Sequence, residues 1–269
     1  MTSGLLHEAL APLRTDPSAS AVLLDIDGTL APIVDFAGDA TVPEATRKLL
    51  IEISRTYGLL ACVSGRRASD SRAMVSIGTI AYIGAHGAET LQAGATEATL
   101  DPELKDWAPR IDEFRREADT LELQRRRVRV EDKGAIVAFH WRAATDQEAA
   151  VAAVGELSER ARSQGLEVHY GRKVMEVRPP VRIDKGAGIA SLLAGRELAA
   201  VLYAGDDVTD LDAFRAIREL SASGAVGTAL CVGVSSDDGP PEIRQSADLV
   251  VDGTDGMQTL LAALVGDVD

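Results

Sequence analysis

The apolar run Ala21–Leu24 ends directly in the sequence Asp25-Ile26-Asp27-Gly28-Thr29, and this arrangement narrows both the fold and the chemistry of the chain. A short apolar run bounded by polar residues is typical of a buried strand in a parallel sheet. Side chains alternate along a strand, so Asp25 and Asp27 are expected to point to the same side. Two carboxylates this close favour a bound cation, and Mg²⁺ prefers such oxygen ligands. The alternative is a solvated turn after a strand, because Asp-x-Asp alone is common.

The order of predicted elements in the first hundred residues indicates an α/β fold. Alternating apolar strands and helices are typical of a parallel sheet covered by helices, which binds its ligands at the carboxyl ends of the strands. Thr41 and Glu44 have the spacing of a capping box and predict the start of the second helix. The predicted elements are a helix over 5–14, a strand over 20–26, a helix from Thr41 to Tyr57, a strand over 59–63, a helix over 67–76 and a strand over 80–83.

The pattern changes after about residue 100 and returns after Pro179-Pro180, since paired prolines interrupt both helices and strands. Two antiparallel hairpins and two helices are predicted in between, and Thr145 with Glu148 forms a second capping box. We therefore predict a core domain of residues 1–104 and 182–269 with an inserted α+β module of residues 105–181. The module has predicted helices over 103–122 and 145–164 and strands over 125–131, 136–142, 166–170 and 173–178. The core then resumes with strands over 200–204, 228–232 and 248–251 and helices over 184–195, through Glu219 and over 255–264.

Alternation along the strands of the module separates an apolar face from a polar face. The apolar face, with Val128, Val130, Met175 and Val177, is expected to pack on the two helices of the module. The polar face has two interpretations: a solvated sheet surface, or a polar lid over the core that suits hydroxyl-rich ligands. Its predicted members are Arg129, Glu131, His140, Arg142, Glu176 and Arg178.

Composition excludes several classes of partner. The net charge of −14 argues against nucleic acid or an anionic membrane as the main partner. The first residues lack a signal-peptide pattern, and no apolar run approaches the roughly 20 residues needed to span a bilayer. Cys62 and Cys231 lie in apolar runs and are expected to be buried thiols, which suits a reducing cytoplasm. We expect a cytoplasmic protein, a monomer, that binds a small molecule.

Four polar clusters fall at predicted strand ends or helix starts of the core domain, and together they supply what phosphoryl transfer needs. They are Asp25-x-Asp27-Gly28-Thr29, Ser64-Gly65-Arg66, Lys185-Gly186 and Gly205-Asp206-Asp207-x-x-Asp210. Asp25 is the predicted nucleophile, Asp27 the predicted acid and base, and Lys185 the predicted catalytic cation. The predicted Mg²⁺ site comprises Asp25, Asp27, Asp206, Asp207 and Asp210, and the predicted phosphate contacts are Gly28, Thr29, Ser64, Gly65 and Lys185.

The four clusters resemble those of the haloacid dehalogenase superfamily of Mg²⁺-dependent phosphatases. Further stretches resemble the trehalose-6-phosphate phosphatases within it: Gly84-Ala-His-Gly-Ala-Glu89, Glu131-Asp-Lys133, His140-Trp-Arg142 and Lys173-Val-Met-Glu-Val-Arg-Pro179. The resemblance implies a Rossmann-like parallel-sheet core with an inserted α+β cap, and hydrolysis of trehalose 6-phosphate. It also implies sugar or phosphate contacts by Glu131, Lys133, Arg142 and Glu176, and by Arg66 and His86. One departure is Leu211, where the family often has glutamate.

Two other activities and one non-catalytic role are the alternatives to this assignment. The substrate can be another sugar phosphate, such as sucrose phosphate, a glycosyl-phosphoglycerate or a pseudo-disaccharide phosphate, since only the polar face of the module would differ. A phosphomutase would return the phosphoryl group to a sugar instead of to water. A non-catalytic sugar-phosphate-binding module would lack one essential group, whereas Asp25, Asp27, Lys185 and Asp206 are all present.

Overall fold

A computed structural model of the protein describes residues 3–34, 39–236 and 239–266. The chain divides into two compact units, one of Met1–Thr99 with Ile183–Asp269 and the other of Leu100–Arg182. The second unit is therefore an insertion in the sequence of the first. Among the helices of the described ranges, none combines the length and the apolar character that crossing a bilayer requires.

Strands and helices alternate through most of the first unit, whereas the second unit contains paired strands. The strands are β1 Ser20–Asp25, β2 Leu59–Val63, β3 Ala81–Gly84, β4 Glu89–Leu91, β5 Thr99–Leu100, β6 Arg129–Asp132, β7 Val137–His140, β8 Glu167–Gly171, β9 Val174–Arg178, β10 Leu198–Gly205, β11 Val226–Ser235 and β12 Leu249–Asp252. The helices are α1 Ser3–Thr15, α2 Glu44–Thr56, α3 Ala68–Val75, α4 Ala108–Ala118, α5 Leu121–Arg125, α6 Gln147–Ser163, α7 Lys185–Leu193, α8 Asp210–Ala222, α9 Pro241–Ser246 and α10 Gly253–Val265.

The first unit is built on a mainly parallel sheet in the order β12-β11-β10-β1-β2-β3-β4-β5. All pairs from β12 to β3 are parallel, and β4 runs antiparallel to β3. Alternation along β1 divides its side chains between two apolar layers, with Val22 and Leu24 packed in one and Ala21 and Leu23 in the other. Helices α1, α2 and α10 cover the first layer, and α7 and α8 cover the second. The parallel α/β core predicted from the sequence is confirmed.

Three predicted helix boundaries are wrong for identifiable reasons. The N-cap of α2 is Pro43, without a side-chain hydrogen bond, so Thr41 lies too far upstream to form the predicted capping box. Helix α6 is capped by Asp146, whose Oδ1 accepts from the Ala149 amide at 2.9 Å, in place of the predicted box at Thr145. The predicted helix over 103–122 is interrupted, because Pro109 occupies the first turn of α4 and Thr120 caps a separate helix α5.

The second unit is an antiparallel sheet in the order β6-β7-β9-β8, with α4 and α6 packed on one face. Phe139 and Met175, directly opposite each other on β7 and β9, are fully buried on this face. The ring of Phe139 meets the ring of Phe114 from α4 edge to face, with centroids 6.3 Å apart. The predicted apolar face is thus confirmed, and Ala138 and Glu176, also opposite each other, belong to the other face.

Candidate active site

A buried acidic cluster lies where strands β1 and β10 end side by side. Asp25 is the last residue of β1, and Asp206 directly follows β10, which pairs with β1 in parallel. Asp210 begins α8, one turn later. Each of these three aspartates places a carboxylate oxygen within 4.8 Å of the others. The carboxyl ends of neighbouring parallel strands therefore bring together residues that are far apart in the sequence.

Lys185, the first residue of α7, is buried among these carboxylates. Its Nζ lies 2.6 Å from Asp25 Oδ1 and 2.6 Å from Asp210 Oδ1. The Asp184 side chain caps α7 through the Ala187 amide, at 2.8 Å, and so determines where the helix begins. Burial alone would lower the pKa of Lys185, but the two aspartates outweigh it and raise that pKa. The lysine is therefore a fixed positive charge.

Asp210 organises the cluster, because all of its acceptor positions are used. Oδ1 accepts from Lys185 Nζ and from the Tyr203 hydroxyl, and Oδ2 accepts from the amides of Asp206 and Asp207 at 3.0 and 2.9 Å. A carboxylate offers about four lone-pair sites. These contacts let Asp210 orient Lys185, whereas a direct contact between Asp210 and a metal ion would displace one of the four donors.

Tyr203 is a member of the site that the sequence analysis missed. It is fully buried on β10, and its hydroxyl donates to Asp210. The sequence does contain a clue to this role, because Tyr203 lies in an otherwise apolar strand two residues before Gly205-Asp206. A buried tyrosine hydroxyl usually needs a hydrogen-bond partner, and the nearby aspartates could supply one. Gly205 itself is required for close packing, because a Cβ there would lie 2.3 Å from Asp210 Cγ.

The carboxylates of the cluster carry more negative charge than Lys185 can balance. Burial raises the pKa of Asp25 well above its usual range; Lys185 opposes that rise, and Asp210 and Asp206 add to it. Burial and the neighbouring Asp210 raise the pKa of Asp206 to about 7. Three carboxylates around one lysine therefore favour either an added proton or a second cation.

The side chains of Asp27 and Asp207, which also belong to the predicted metal site, lie outside this cluster of three aspartates. Arg66 holds the carboxylate of Asp27, with Nε 2.8 Å from Oδ2 and Nη2 2.6 Å from Oδ1. The exposed Asp207 turns its Oδ1 to the Val208 amide, at 2.7 Å. Asp25 ends β1 and Asp27 follows it by two residues, but the side-chain torsions, which the pattern cannot predict, are determined by these partners.

Gly28 and Thr29, two of the predicted phosphate contacts, use their backbone amides within the turn after β1. The Gly28 amide donates to Ala31 O at 2.7 Å, and the Thr29 amide donates to Ile26 O at 3.3 Å. Both amides thus close the turn that follows β1. The Thr29 hydroxyl donates to Asp206 Oδ1 at 3.2 Å, so the side chain positions an aspartate of the cluster.

The loop after β2 carries the other predicted phosphate contacts, Ser64 and Gly65. The Ser64 hydroxyl oxygen accepts from the Arg66 amide at 3.1 Å, which leaves the hydroxyl proton to point elsewhere. His86, in the loop after β3, packs so closely on this segment that a Cβ on Gly65 would lie 2.6 Å from its ring. Packing against His86 therefore requires glycine at position 65, independently of the predicted contact between Gly65 and phosphate.

A substitution of Gly28 tests how tightly Asp206 is positioned. Gly28 has φ +89°, and a Cβ there would lie 2.1 Å from Asp206 Oδ2, so Gly28→Ala must displace that carboxylate. We expect phosphate release to fall about 100-fold, since small misplacements of reacting groups cost this much. Gly94→Ala is the matched control, because Gly94 has φ +74° but nothing within 4 Å of a new Cβ. Equal losses of activity in the two variants would mean that backbone strain alone is responsible.

The polar face of the second unit contains paired charges. Glu131 Oε2 lies 2.8 Å from His140 Nε2 and 2.9 Å from Arg129 Nη2. Lys133 Nζ lies 2.8 Å from Glu176 Oε1, and Arg178 donates to the other oxygen of Glu176. The contact with His140, aided by Lys133, holds the pKa of Glu131 at about 2 against the effect of burial.

The structure thus brings together most of the residues predicted for this face. Arg142 differs from the prediction: β7 ends at His140, so Arg142 is exposed in the following turn.

Comparisons with known proteins agree with this arrangement. The sequence model described as trehalose-phosphatase matches residues 23–246. A protein named probable trehalose-phosphate phosphatase, from Sinorhizobium fredii, is 29% identical over 280 residues that cover 97% of this chain and 94% of that protein. A protein named uncharacterized glycosyl hydrolase, from Mycobacterium tuberculosis, is 33% identical over 214 residues. This match covers 74% of the present chain but 15% of the mycobacterial protein, so the chain spans a small part of that relative's length.

Solved structures share the fold. The crystal structure of a trehalose-6-phosphate phosphatase related protein superposes with a TM-score of 0.73 at 22% identity, covering 91% of this chain and 96% of that chain. A haloacid dehalogenase-like hydrolase from Bacteroides thetaiotaomicron gives a TM-score of 0.60 at 16% identity, covering 90% and 98%. The fold predicted from the sequence, a haloacid dehalogenase-type core with an inserted α+β unit, is confirmed. The family match extends over residues 23–246, which is most of the chain. The chain therefore belongs to the trehalose-phosphatase family.

Proposed function

We propose that the protein is a Mg²⁺-dependent phosphatase that hydrolyses trehalose 6-phosphate to trehalose and phosphate. The observation that supports this most strongly is the buried contact of Lys185 with Asp25 and Asp210, at 2.6 Å each. It combines a carboxylate nucleophile with a fixed cation, as phosphoryl transfer requires. The family match and the name of the Sinorhizobium relative support the substrate.

In the proposed reaction, a carboxylate oxygen of Asp25 attacks phosphorus, and the bond between phosphorus and the sugar oxygen breaks. Asp27 gives a proton to the departing sugar oxygen, which leaves an aspartyl phosphate on Asp25 and an ionised Asp27. Water then attacks the aspartyl phosphate and gives a proton to Asp27. Phosphate leaves, both aspartates return to their starting forms, and Lys185 balances the charge of Asp25 and of the phosphate oxygens throughout.

The acidic cluster fits a hard divalent cation by its chemistry and its charge. Its donors are carboxylate oxygens, which Mg²⁺ prefers, and they outnumber the single lysine among them. Asp25 and Asp206 are the residues that would hold the ion, since Asp210 already accepts four hydrogen bonds. When bound, the cation would neutralise charge that develops on the phosphoryl oxygens.

We assign recognition of the sugar to the polar face of the second unit, following the family resemblance. Glu131, Lys133 and Glu176 are held there in ion pairs, and such groups can exchange contacts with one another for contacts with hydroxyls. Arg142, His86 and Arg66 are further candidates from the same resemblance. The free, buried cysteines Cys62 and Cys231 suit a reducing cytoplasm, which we propose as the location.

Phosphate release from a panel of esters tests this function. The panel comprises trehalose 6-phosphate, sucrose 6-phosphate, glucose 6-phosphate and p-nitrophenyl phosphate, each with Mg²⁺ and after chelation. We expect strong preference for trehalose 6-phosphate and loss of activity on chelation that Mg²⁺ restores. Activity on the artificial ester but not on trehalose 6-phosphate would reject the substrate and retain the mechanism. Activity that survives chelation would reject the metal requirement.

A further inference from the structure

Arg66 and Asp27 form a bidentate ion pair in the first unit. Arg66 Nε lies 2.8 Å from Asp27 Oδ2, and Nη2 lies 2.6 Å from Oδ1, so both carboxylate oxygens accept from one guanidinium. This geometry fixes the plane of the carboxylate as well as its position, which a lysine ammonium cannot do. The side chains are partly buried, with 23% of Arg66 and 37% of Asp27 exposed.

The backbone around Arg66 is itself anchored to the sheet. The Arg66 amide donates to Ser64 Oγ at 3.1 Å, and the Arg66 carbonyl accepts from the Ala85 amide at 2.7 Å. These contacts tie Arg66 to the loops that follow β2 and β3. The guanidinium therefore projects from a fixed point at the same sheet edge as Asp25.

The backbone of Asp27 is bridged to Ala31, but its side chain is held by Arg66. Asp27 lies in the turn after β1, and its side chain is much more exposed than that of Asp25, at 37% against 6%. Without Arg66, rotation about its side-chain torsions would be limited only by the turn. A group that must exchange a proton with a reacting oxygen has to be oriented within hydrogen-bond distance of it.

We propose that Arg66 is a positioning residue that orients Asp27 for proton transfer to the departing oxygen, rather than chiefly a ligand of the sugar. This inference rests on the proposed phosphatase function. A carboxylate has about four lone-pair sites, of which the guanidinium uses two, so each oxygen of Asp27 keeps a site that can carry or accept the proton. The pairing also accounts for the separation of Asp27 from the acidic cluster.

The test compares Arg66→Met, Asp27→Asn and the double variant on esters whose leaving groups become progressively worse. Hydrolysis of p-nitrophenyl phosphate needs little protonation of the leaving oxygen, whereas phenyl phosphate and benzyl phosphate need more. We expect Arg66→Met to lower the first-turnover rate of leaving-group release, which reports formation of the aspartyl phosphate alone, by about 10- to 100-fold on benzyl phosphate and by less than about threefold on p-nitrophenyl phosphate. In the Asp27→Asn background the same substitution is expected to have no further effect, because both act through one group.

Three outcomes would overturn the inference. Equal losses in the first-turnover rate on good and poor leaving groups, or losses that multiply in the double variant, would show that Arg66 acts independently of Asp27. A raised KM for trehalose 6-phosphate with unchanged kcat on all esters would identify Arg66 as a sugar ligand. The series of artificial esters does not depend on sugar recognition, so failure to hydrolyse trehalose 6-phosphate would reject the proposed substrate and still leave this comparison measurable.

Two further variants test whether the bidentate geometry of Arg66 matters beyond its charge, and whether loss of any arginine ion pair lowers activity through folding. Arg66→Lys keeps the positive charge but cannot donate to both oxygens in the same way, so it is expected to recover only part of the loss. Wild-type activity in that variant would mean that charge alone is sufficient and would overturn the positioning role. Arg55→Met, which removes an exposed pair with Glu52 on α2, is the matched control and is expected to behave as wild type.

Discussion

Asp25→Asn is expected to lower phosphate release from trehalose 6-phosphate by about 10⁴-fold or more, because loss of a nucleophile removes the covalent route. An amide oxygen at this position carries no charge and cannot form the aspartyl phosphate. The fold should survive, since the substitution removes one of three crowded carboxylates, and Lys185 keeps its partner Asp210 at 2.6 Å. The measurements are single-turnover phosphate release and the midpoint of urea unfolding.

Asp207→Asn is the matched control for this experiment. Asp207 lies beside Asp206 in the sequence, but its exposed carboxylate turns to the Val208 amide and away from the acidic cluster. We expect activity within about threefold of wild type, as for a surface substitution away from the reacting atoms. A loss as large as that of Asp25→Asn would restore Asp207 to the metal site that the sequence predicts. Retained activity in Asp25→Asn would remove Asp25 from the mechanism.

The elements that carry this site can be predicted from the sequence because their signals are local. The sequence predicts β2 at its observed bounds, Leu59–Val63, since an apolar run there lies between Gly58 and Ser64. Helix α7 begins at Lys185 because Asp184 immediately before it is a strong N-cap. The carboxyl-end rule for parallel sheets then places Asp25 and Asp206 at one edge without any knowledge of the tertiary contacts.

Features that depend on distant partners are the ones the sequence analysis misses. The Arg66–Asp27 pair spans 39 residues, and no periodicity records it. The contact of Tyr203 with Asp210 depends on the turn between β10 and α8. Strands β4 and β5, of three and two residues, are too short for alternation to be detected. Side-chain torsions at strand ends are determined by such contacts, which is why the sequence pattern does not predict that the side chains of Asp27 and Asp207 lie apart from the acidic cluster.

Lys185→Met is expected to abolish activity and also to lower the free energy of unfolding by about 3–5 kcal/mol near pH 7.5, because it leaves buried carboxylates without their cation. Lys185 is 3% exposed, and Asp25 and Asp210 are 4% and 0% exposed, so water cannot replace the lost contact. Asp210 would retain its hydroxyl and amide donors, which makes Asp25 the main source of the cost. Urea unfolding in the absence of divalent cations measures the effect. Lys48→Met, which removes an exposed pair with Glu44, is the matched control, and no measurable change is expected.

The pH dependence of the free energy of unfolding identifies why Lys185→Met is less stable than wild type. Burial and the neighbouring aspartates already raise the pKa of Asp25 in the folded state, and Lys185 opposes that rise. Removal of the lysine raises this pKa further, so the folded state binds more protons than the unfolded state over a wider range above pH 4. Stability of Lys185→Met should therefore fall more steeply than that of wild type as the pH increases through this range.

A double variant separates charge from packing. If the uncompensated Asp25 carboxylate causes the instability, then Asp25→Asn introduced into Lys185→Met should restore part of the lost stability near pH 7.5 and reduce its pH dependence. If the loss instead reflects the packing of the lysine side chain, the double variant will be no more stable than Lys185→Met alone, and the two unfolding curves will shift equally with pH. The first result would show that Lys185 holds the acidic cluster together through its charge, which is the property that the proposed transfer of a phosphoryl dianion also requires.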